Sequence, residues 1–368
     1  MAWMRLRRSI AKAPRLLLRG EFAYAFDRMP MRATALSPAK RANMVLSGVE
    51  TALGRTRLCS LPPALQIEPT NRCNLKCPLC PTGAGTAGRK SGMMSFEFFR
   101  RILDDTDRAL VSVILYGWGE PFLNKELPRM VKECSDRGIL TVTSTNGHGI
   151  ETLAEAVETV DAGLKGLVIA MDGSTQEVYE RYRKGGDIEK VKRCASLIEQ
   201  AKRLRRSPFP YTNIRAVATR ENEHDLPNIR KAAVELGVNM FSYKSVGCLT
   251  VSPEYGRYEP SGNEMQRFER DGGRAPARCP FVFRQPTIYW DGTVVGCEFD
   301  YRPDAAWGRV GEDSFRNVWN SPAAVQMRRG ILGRAPRPDF CANCPYRDKG
   351  QEKTVLASEE LKQPLRQD

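Results

Sequence analysis

The chain has 368 residues, 41% hydrophobic and 27% charged, with a net charge of +14, enough to bury one large domain and a smaller appended one. No run approaches the roughly 18–20 apolar residues of a membrane-spanning helix, and "PRLLLRGEFAYAF" is too short and interrupted for a secretory signal. Two histidines, His148 and His224, argue against a His-rich metal site or a Ser–His–Asp triad. Eleven cysteines, an odd count in a chain that needs no staples, argue for thiolate ligation in a reducing compartment, the cytoplasm by default.

Residues 1–60 form a basic N-terminal extension with twelve Lys/Arg against Glu21, Asp27 and Glu50, so +9 of the +14 precedes the first cysteine cluster. Trp3, Leu6, Ile10, Ala13 and Leu17 recur at helical spacing, interrupted by Pro14. The first expectation is a helix that docks its apolar stripe on the main domain. The sharper one is that residues 1–40 lie on an anionic membrane surface, while nucleic acid is disfavoured as a partner.

From residue 64 strand-like runs alternate with helical ones. "ALQIEP" (64–69), "VSVILYGW" (111–118), "ILTVTST" (139–145), "GLVIAMD" (166–172), "YTNIRAVAT" (211–219) and "VNMFSYKSV" (238–246) predict six strands. Ser174-Thr175-Gln176-Glu177 reads as a capping box, and Asp187 starts a helix reaching about Arg206. The alternation predicts an α/β fold, a partial (β/α)6 TIM-like barrel over 61–247, with its chemistry at the C-terminal ends of the strands. Residues 248–275 read as a linker, and 276–348 as a small domain. That domain holds a hairpin turning at Asp291-Gly292 and a helix capped by Ser321, with Pro322 in its first turn and Gly330 past its end. Residues 349–368 read as a polar tail.

"RCNLKCPLC" holds Cys73, Cys77 and Cys80 in a Cys-x3-Cys-x2-Cys pattern, in the loop after the first strand. A tetrahedral zinc or a cubane cluster takes four protein ligands. Three thiolates leave one iron open to a small molecule. A structural zinc knuckle with Cys59 as a distant fourth ligand is the alternative.

This motif in this place resembles the radical S-adenosylmethionine (SAM) superfamily. The resemblance implies a [4Fe–4S] cluster on Cys73, Cys77 and Cys80, whose open iron is chelated by the methionyl amine and carboxylate of SAM. It implies reductive cleavage of SAM to a 5′-deoxyadenosyl radical, with the electron delivered by a flavodoxin or ferredoxin. "YGWGEPFLN" is similar to the family's Gly-Gly-Glu-Pro stretch, with Trp118 in place of the first glycine. Gly119 and Glu120 then bind SAM, Glu120 receiving the ammonium. "TSTNG" and "AMDGSTQEVYERYRKGGD" are also family-like. They make Ser144 and Asn146 ribose or carboxylate contacts and Arg183 a carboxylate partner. Ala170 replaces a serine, and Leu79 stands where an aromatic side chain often packs near adenine.

Cys279, Cys297, Cys341 and Cys344 form a second set, Cys-x17-Cys-x43-Cys-x2-Cys. Four thiolates close a site, either Zn(Cys)4 or a fully ligated [4Fe–4S] cluster. The surrounding "YWDGTVVGCEFD … FCANCPY" resembles the SPASM/twitch domains of the same superfamily, which implies one auxiliary [4Fe–4S] cluster. In sulfatase-maturing relatives an acid in the place of Glu298 deprotonates the alcohol being oxidised. The competing reading of Glu298 is an exposed hairpin carboxylate, and Asp300 is its substitute. Cys248 is either a hydrogen-atom donor, as in radical epimerases, or a small buried apolar residue. Cys134 and Cys194 read as helix packing.

The function expected is an oxygen-sensitive two-electron oxidation, either alcohol dehydrogenation or a cross-link, of a sugar-like, natural-product or peptide substrate. A redox-neutral epimerase using Cys248 is the first rival. A non-catalytic metal-binding protein associated with RNA or membranes is the second.

Overall fold

The computed structural model describes residues 15–247, 254–266, 279–341 and 355–362. Cys248, Cys344 and residues 1–14 lie outside these ranges. The described chain begins with a π-helical turn (Arg15–Arg19), a hairpin of β1 (Phe22–Phe26) and β2 (Met29–Ala33), and helix α1 (Pro38–Ala52). Phe26 pairs with Met29, leaving a two-residue loop in which Asp27 and Arg28 both have positive φ, 47° and 69°. That is the twist a tight antiparallel hairpin requires.

Six parallel strands follow, as the alternation predicts: β3 (Ala64–Ile67), β4 (Ser112–Ile114), β5 (Leu140–Thr145), β6 (Gly166–Ala170), β7 (Tyr211–Ala218) and β8 (Met240–Ser245). Between them run α2 (Phe96–Thr106), α3 (Leu127–Asp136), α4 (Leu153–Asp161), α5 (Gln176–Tyr182), α6 (Ile188–Leu204) and α7 (Leu226–Leu236). Leu65, Ile67, Val113 and Leu115 join Phe99, Ile102 and Met130 in the core between sheet and helices. Strand alternation therefore turns Gln66, Glu68 and Tyr116 to the concave face. Asp187 caps α6 as expected, its Oδ1 accepting from Glu189 N at 2.8 Å. The cap of α5 is Thr175; Ser174 instead donates its hydroxyl to Asp225 at 2.8 Å.

The hairpin closes the lower half of the concave face. Met29, Met31 and Ala33 pack on Leu140, Val142, Val168, Tyr211 and Met240, residues at or near the N-terminal ends of the barrel strands. From β7, Arg215 bonds Ser242 Oγ at 3.1 Å and pairs with Asp27 at the hairpin tip.

The sheet does not stop at six strands. Its order is β11-β10-β9-β3-β4-β5-β6-β7-β8-β12. Short helices α8 (Tyr255–Tyr258) and α9 (Phe281–Arg284) lead to β9 (Thr287–Ile288), which pairs in parallel with β3. The expected hairpin is present: β10 (Thr293–Val295) pairs antiparallel with β9 around Gly292, whose φ is +90°. β11 (Gly308–Arg309) follows, then α10 (Phe315–Trp319) and α11 (Pro322–Ile331). The small domain is thus an extension of the barrel sheet. Gly330 lies inside α11, where a Cβ would come 2.6 Å from Pro336 O; close approach, not helix termination, calls for glycine there. Two other expectations change. The tail supplies β12 (Val355–Glu360), antiparallel to β8 and held by a bidentate Glu359–Arg230 pair. Residues 254–266, expected as linker, fold back so that buried Tyr258 stacks edge-on against Tyr182 at 5.5 Å.

Candidate active site

β3 delivers the chain to a loop tied at its neck. Asn71 Nδ2 donates to Lys90 O at 2.7 Å, and its Oδ1 accepts from Gly92 N at 2.9 Å. Inside the loop Cys80 N donates to Cys77 O at 3.2 Å. A Cβ on Gly83 would stand 2.5 Å from Cys77 N. Cys73, Cys77 and Cys80 gather with Leu75, Leu79, Tyr182 and Tyr258 in one cluster. Donors aim at the sulfurs: Leu75 N at 3.5 Å and Asn146 Nδ2 at 3.8 Å from Cys73, and Arg183 Nη1 at 3.9 Å from Cys77.

Burial pushes the Cys73 thiol up to about 11, so it becomes a thiolate when a metal displaces its proton. Among the described residues no three Cys, His, Asp or Glu side chains converge at single-ion geometry. Three thiols of one loop packed in one cluster, with N–H donors on two of the sulfurs, are a donor set that fits a cluster. Cys59 is no fourth ligand. It precedes β3, at the opposite end of that strand, and its N–H donates to Glu50 at 2.8 Å.

Glu120 lies against this loop. Its N–H donates to Arg72 O at 2.8 Å, and a Cβ on neighbouring Gly119 would meet Thr70 O at 2.2 Å. The fully buried carboxylate accepts from Thr145 Oγ1 at 2.8 Å, Asn146 N at 2.6 Å and Phe122 N at 3.2 Å. Burial still outweighs those bonds and raises it to about 7. Ser144, on β5 between Val142 and Asn146, is half-buried and by alternation faces the concave side. Arg183 is held by buried Asp172, whose other oxygen accepts from Val217 N at 2.6 Å.

The small domain reaches the same mouth. Glu298 Oε2 accepts from Gln66 Nε2 at 2.6 Å, and the same Gln66 nitrogen donates to Tyr116 O at 3.1 Å. Glu298 is half-buried and bonded to the barrel wall. Trp118, in place of the expected glycine, donates its indole N–H to Glu298 O at 2.8 Å and packs on Phe299 and Tyr301. Asp300 is buried elsewhere. Its oxygens accept from Asp304 N and Ala305 N at 2.9 and 3.0 Å, so it fastens a loop instead of standing in for Glu298. Cys279, Cys297 and Cys341 are partly buried in this domain, while Cys134 and Cys194 are buried in α3 and α6.

Residues 67–233 match the radical SAM superfamily, and residues 279–345 match the SPASM iron–sulfur cluster-binding domain. The chain belongs to the radical SAM superfamily. As a radical SAM enzyme with a SPASM domain, it is of a kind that uses [4Fe–4S] clusters and SAM. It is 26% identical over 324 residues to a tungsten-containing aldehyde ferredoxin oxidoreductase cofactor-modifying protein of Pyrococcus furiosus, covering 77% of this chain and 87% of that one. It is 25% identical over 314 residues to PqqA peptide cyclase of Ruegeria pomeroyi, covering 77% and 79%. Its fold is similar to that of Streptococcus suis SuiB bound to SAM, with a TM-score of 0.60 at 15% identity over 84% of this chain and 77% of that one.

Several residues of the mouth escape sequence reasoning. Glu68 and Arg89 form a buried two-pronged ion pair, 2.7 Å in each arm, with Arg89 stacked 3.9 Å from the Tyr289 ring centroid. The signal was the polar pair Gln66 and Glu68, two residues apart on an otherwise apolar strand. Asp172 and Thr145 are identified only by the partners that converge on them.

Proposed function

We propose that this radical SAM enzyme catalyses a two-electron oxidation of a hydroxylated small molecule or a peptide. In this reading Cys73, Cys77 and Cys80 hold one [4Fe–4S] cluster, and Cys279, Cys297, Cys341 and Cys344 hold a second. When bound, these groups and SAM supply hydrogen-atom abstraction from the substrate at the first site and electron uptake at the second. Glu120 receives the SAM ammonium, with Gly119 giving the backbone room to approach. Ser144 and Asn146 face the ribose, and Arg183 carries positive charge beside Cys77. Glu298 takes the proton that the substrate sheds once its hydrogen atom has gone. A reduced flavodoxin or ferredoxin is the electron source.

The observation that carries the oxidation is the placement of the Glu298 carboxylate on Gln66, inside the concave face. A base must meet the substrate there. That one relative is named as a peptide cyclase keeps peptides beside polyols as substrates. The test is a panel of peptides and polyols scanned by mass spectrometry for loss of two hydrogens. Glu298→Gln is expected to keep forming 5′-deoxyadenosine while the oxidised product falls about 100-fold. An isomeric product that carries solvent deuterium at carbon, with Glu298→Gln fully active, overturns the oxidation in favour of epimerisation.

A further inference from the structure

Helix α1 is inside out. Its inward side chains are polar: Lys40 donates to Arg137 O at 3.0 Å, Asn43 bonds both Leu61 N and Leu61 O at 2.9 Å, and Glu50 accepts from Cys59 N, Ser60 N and Ser60 Oγ. Ser47, between them, is also buried. Its outward side chains, Ala42, Val45, Leu46, Val49 and Leu53, are apolar and exposed. Leu17 and Leu18, exposed at 49% and 82%, extend the patch, since Arg41 Nη1 ties Leu17 O to this helix at 2.6 Å. Six of the ten large exposed hydrophobic side chains among the described residues lie here. A monomer that leaves such a surface bare is displaying a contact site.

Charge chooses the occupant. Arg19, Arg55 and Arg57 are exposed around the patch. None of the three acids before residue 60 opposes them: Glu21 pairs with Arg32, Asp27 with Arg215, and Glu50 is buried. A second copy docking through the same face would set one basic rim against another. Residues 1–14 carry Arg5, Arg7, Arg8 and Lys12 and no acid, so they would be repelled in the same way. An apolar stripe with exposed arginines around it fits an anionic bilayer surface.

We propose that α1, with Leu17 and Leu18, seats this enzyme on anionic lipid. The helix lies beneath the N-terminal ends of β3 and β5, because its polar side caps the turns at 59–61 and 137–138. The catalytic mouth is at the other end of the strands, so a docked enzyme opens toward water.

The test is co-sedimentation of the full-length, cluster-loaded protein with vesicles of phosphatidylcholine alone or mixed with phosphatidylglycerol. Binding is expected only to the mixed vesicles and weakens as salt shortens screening from about 10 Å at 0.1 M to 3 Å at 1 M. Leu46→Glu with Val49→Glu lowers it at least about tenfold, with the melting curve and SAM cleavage unchanged because both side chains face out. Arg55→Gln with Arg57→Gln lowers it several-fold. Three results overturn the proposal: no binding by the wild type, binding undiminished in the Leu46→Glu/Val49→Glu protein, or a wild-type dimer that those substitutions split while neither protein binds vesicles.

Discussion

The mouth of the barrel buries Glu68, Glu120 and Asp172, whereas its base turns Val45, Leu46, Val49 and Leu53 outward. Both ends break the rule that polar groups face water and apolar ones do not. They break it differently. At the mouth each buried charge has named partners within the fold, and those partners come from separate elements: Arg89 from the cysteine loop for Glu68, Arg183 for Asp172, Thr145 and Asn146 for Glu120. At the base the exposed apolar groups belong to one helix and its C-cap, and the inward Lys40, Asn43 and Glu50 of that helix are already bonded within the fold. An internally completed exception points to chemistry performed inside the fold. An incomplete one points to a partner outside it.

The largest effect that can break this contrast comes from the thiols. Replacing Cys73, Cys77 and Cys80 together with alanine is expected to halve the iron of reconstituted protein, from about eight to about four atoms per chain, and to abolish SAM cleavage. Iron that stays at eight removes the first cluster from this loop.

Next in size is the buried pair. Arg89→Ala strands the Glu68 carboxylate and is expected to cost about 3–5 kcal/mol in denaturant unfolding, with much of it recovered when both residues become leucine. A loss below about 1 kcal/mol means that the mouth does not depend on internal pairing, and the contrast with the base fails.

The smallest effect sharpens the reading of Glu120. With its carboxyl raised to about 7 by burial, the group is protonated below neutrality and cannot receive an ammonium. SAM affinity measured by calorimetry is expected to fall roughly tenfold per pH unit below 7 and to level off above it. Folding stability moves the other way. The unfolded carboxyl ionises near 4.5 while the folded one keeps its proton, so stability is greatest below 4.5 and declines as pH rises to about 7. Glu120→Gln flattens both profiles.

The six barrel strands were legible because each is an apolar run bounded by turn residues, and the cysteine loop because thiols at that spacing have few other uses. The first hairpin was not. "FAYAFDRMPMRA" turns on Asp27-Arg28 instead of an Asn-Gly pair, and Pro30 argues against a strand until its outward position opposite Ala25 in a two-stranded ribbon is known. β12 escaped because "VLASEE" alternates weakly and takes its shape from the β8 edge it covers. Glu298 could be placed beside a cysteine by sequence, but its direction comes from Gln66 and Trp118, more than 170 residues earlier. In α1 the usual inference from apolar spacing to a buried face gives the wrong side. The polar loop ends at 59–61 and 137–138 claim the helix first.

The pairing of β9 with β3 and of β12 with β8 also dictates an order of events during synthesis. Both edges of the six-stranded sheet are finished by segments made much later: Gln66 waits for Thr287, and Met240 for Glu360. At about 5–20 residues per second the first edge stays unpaired for on the order of tens of seconds. Throughout that interval the nascent barrel presents open backbone donors and acceptors to any neighbouring strand. The second edge is closed only when β12, made well after the β8 strand it covers, is in place.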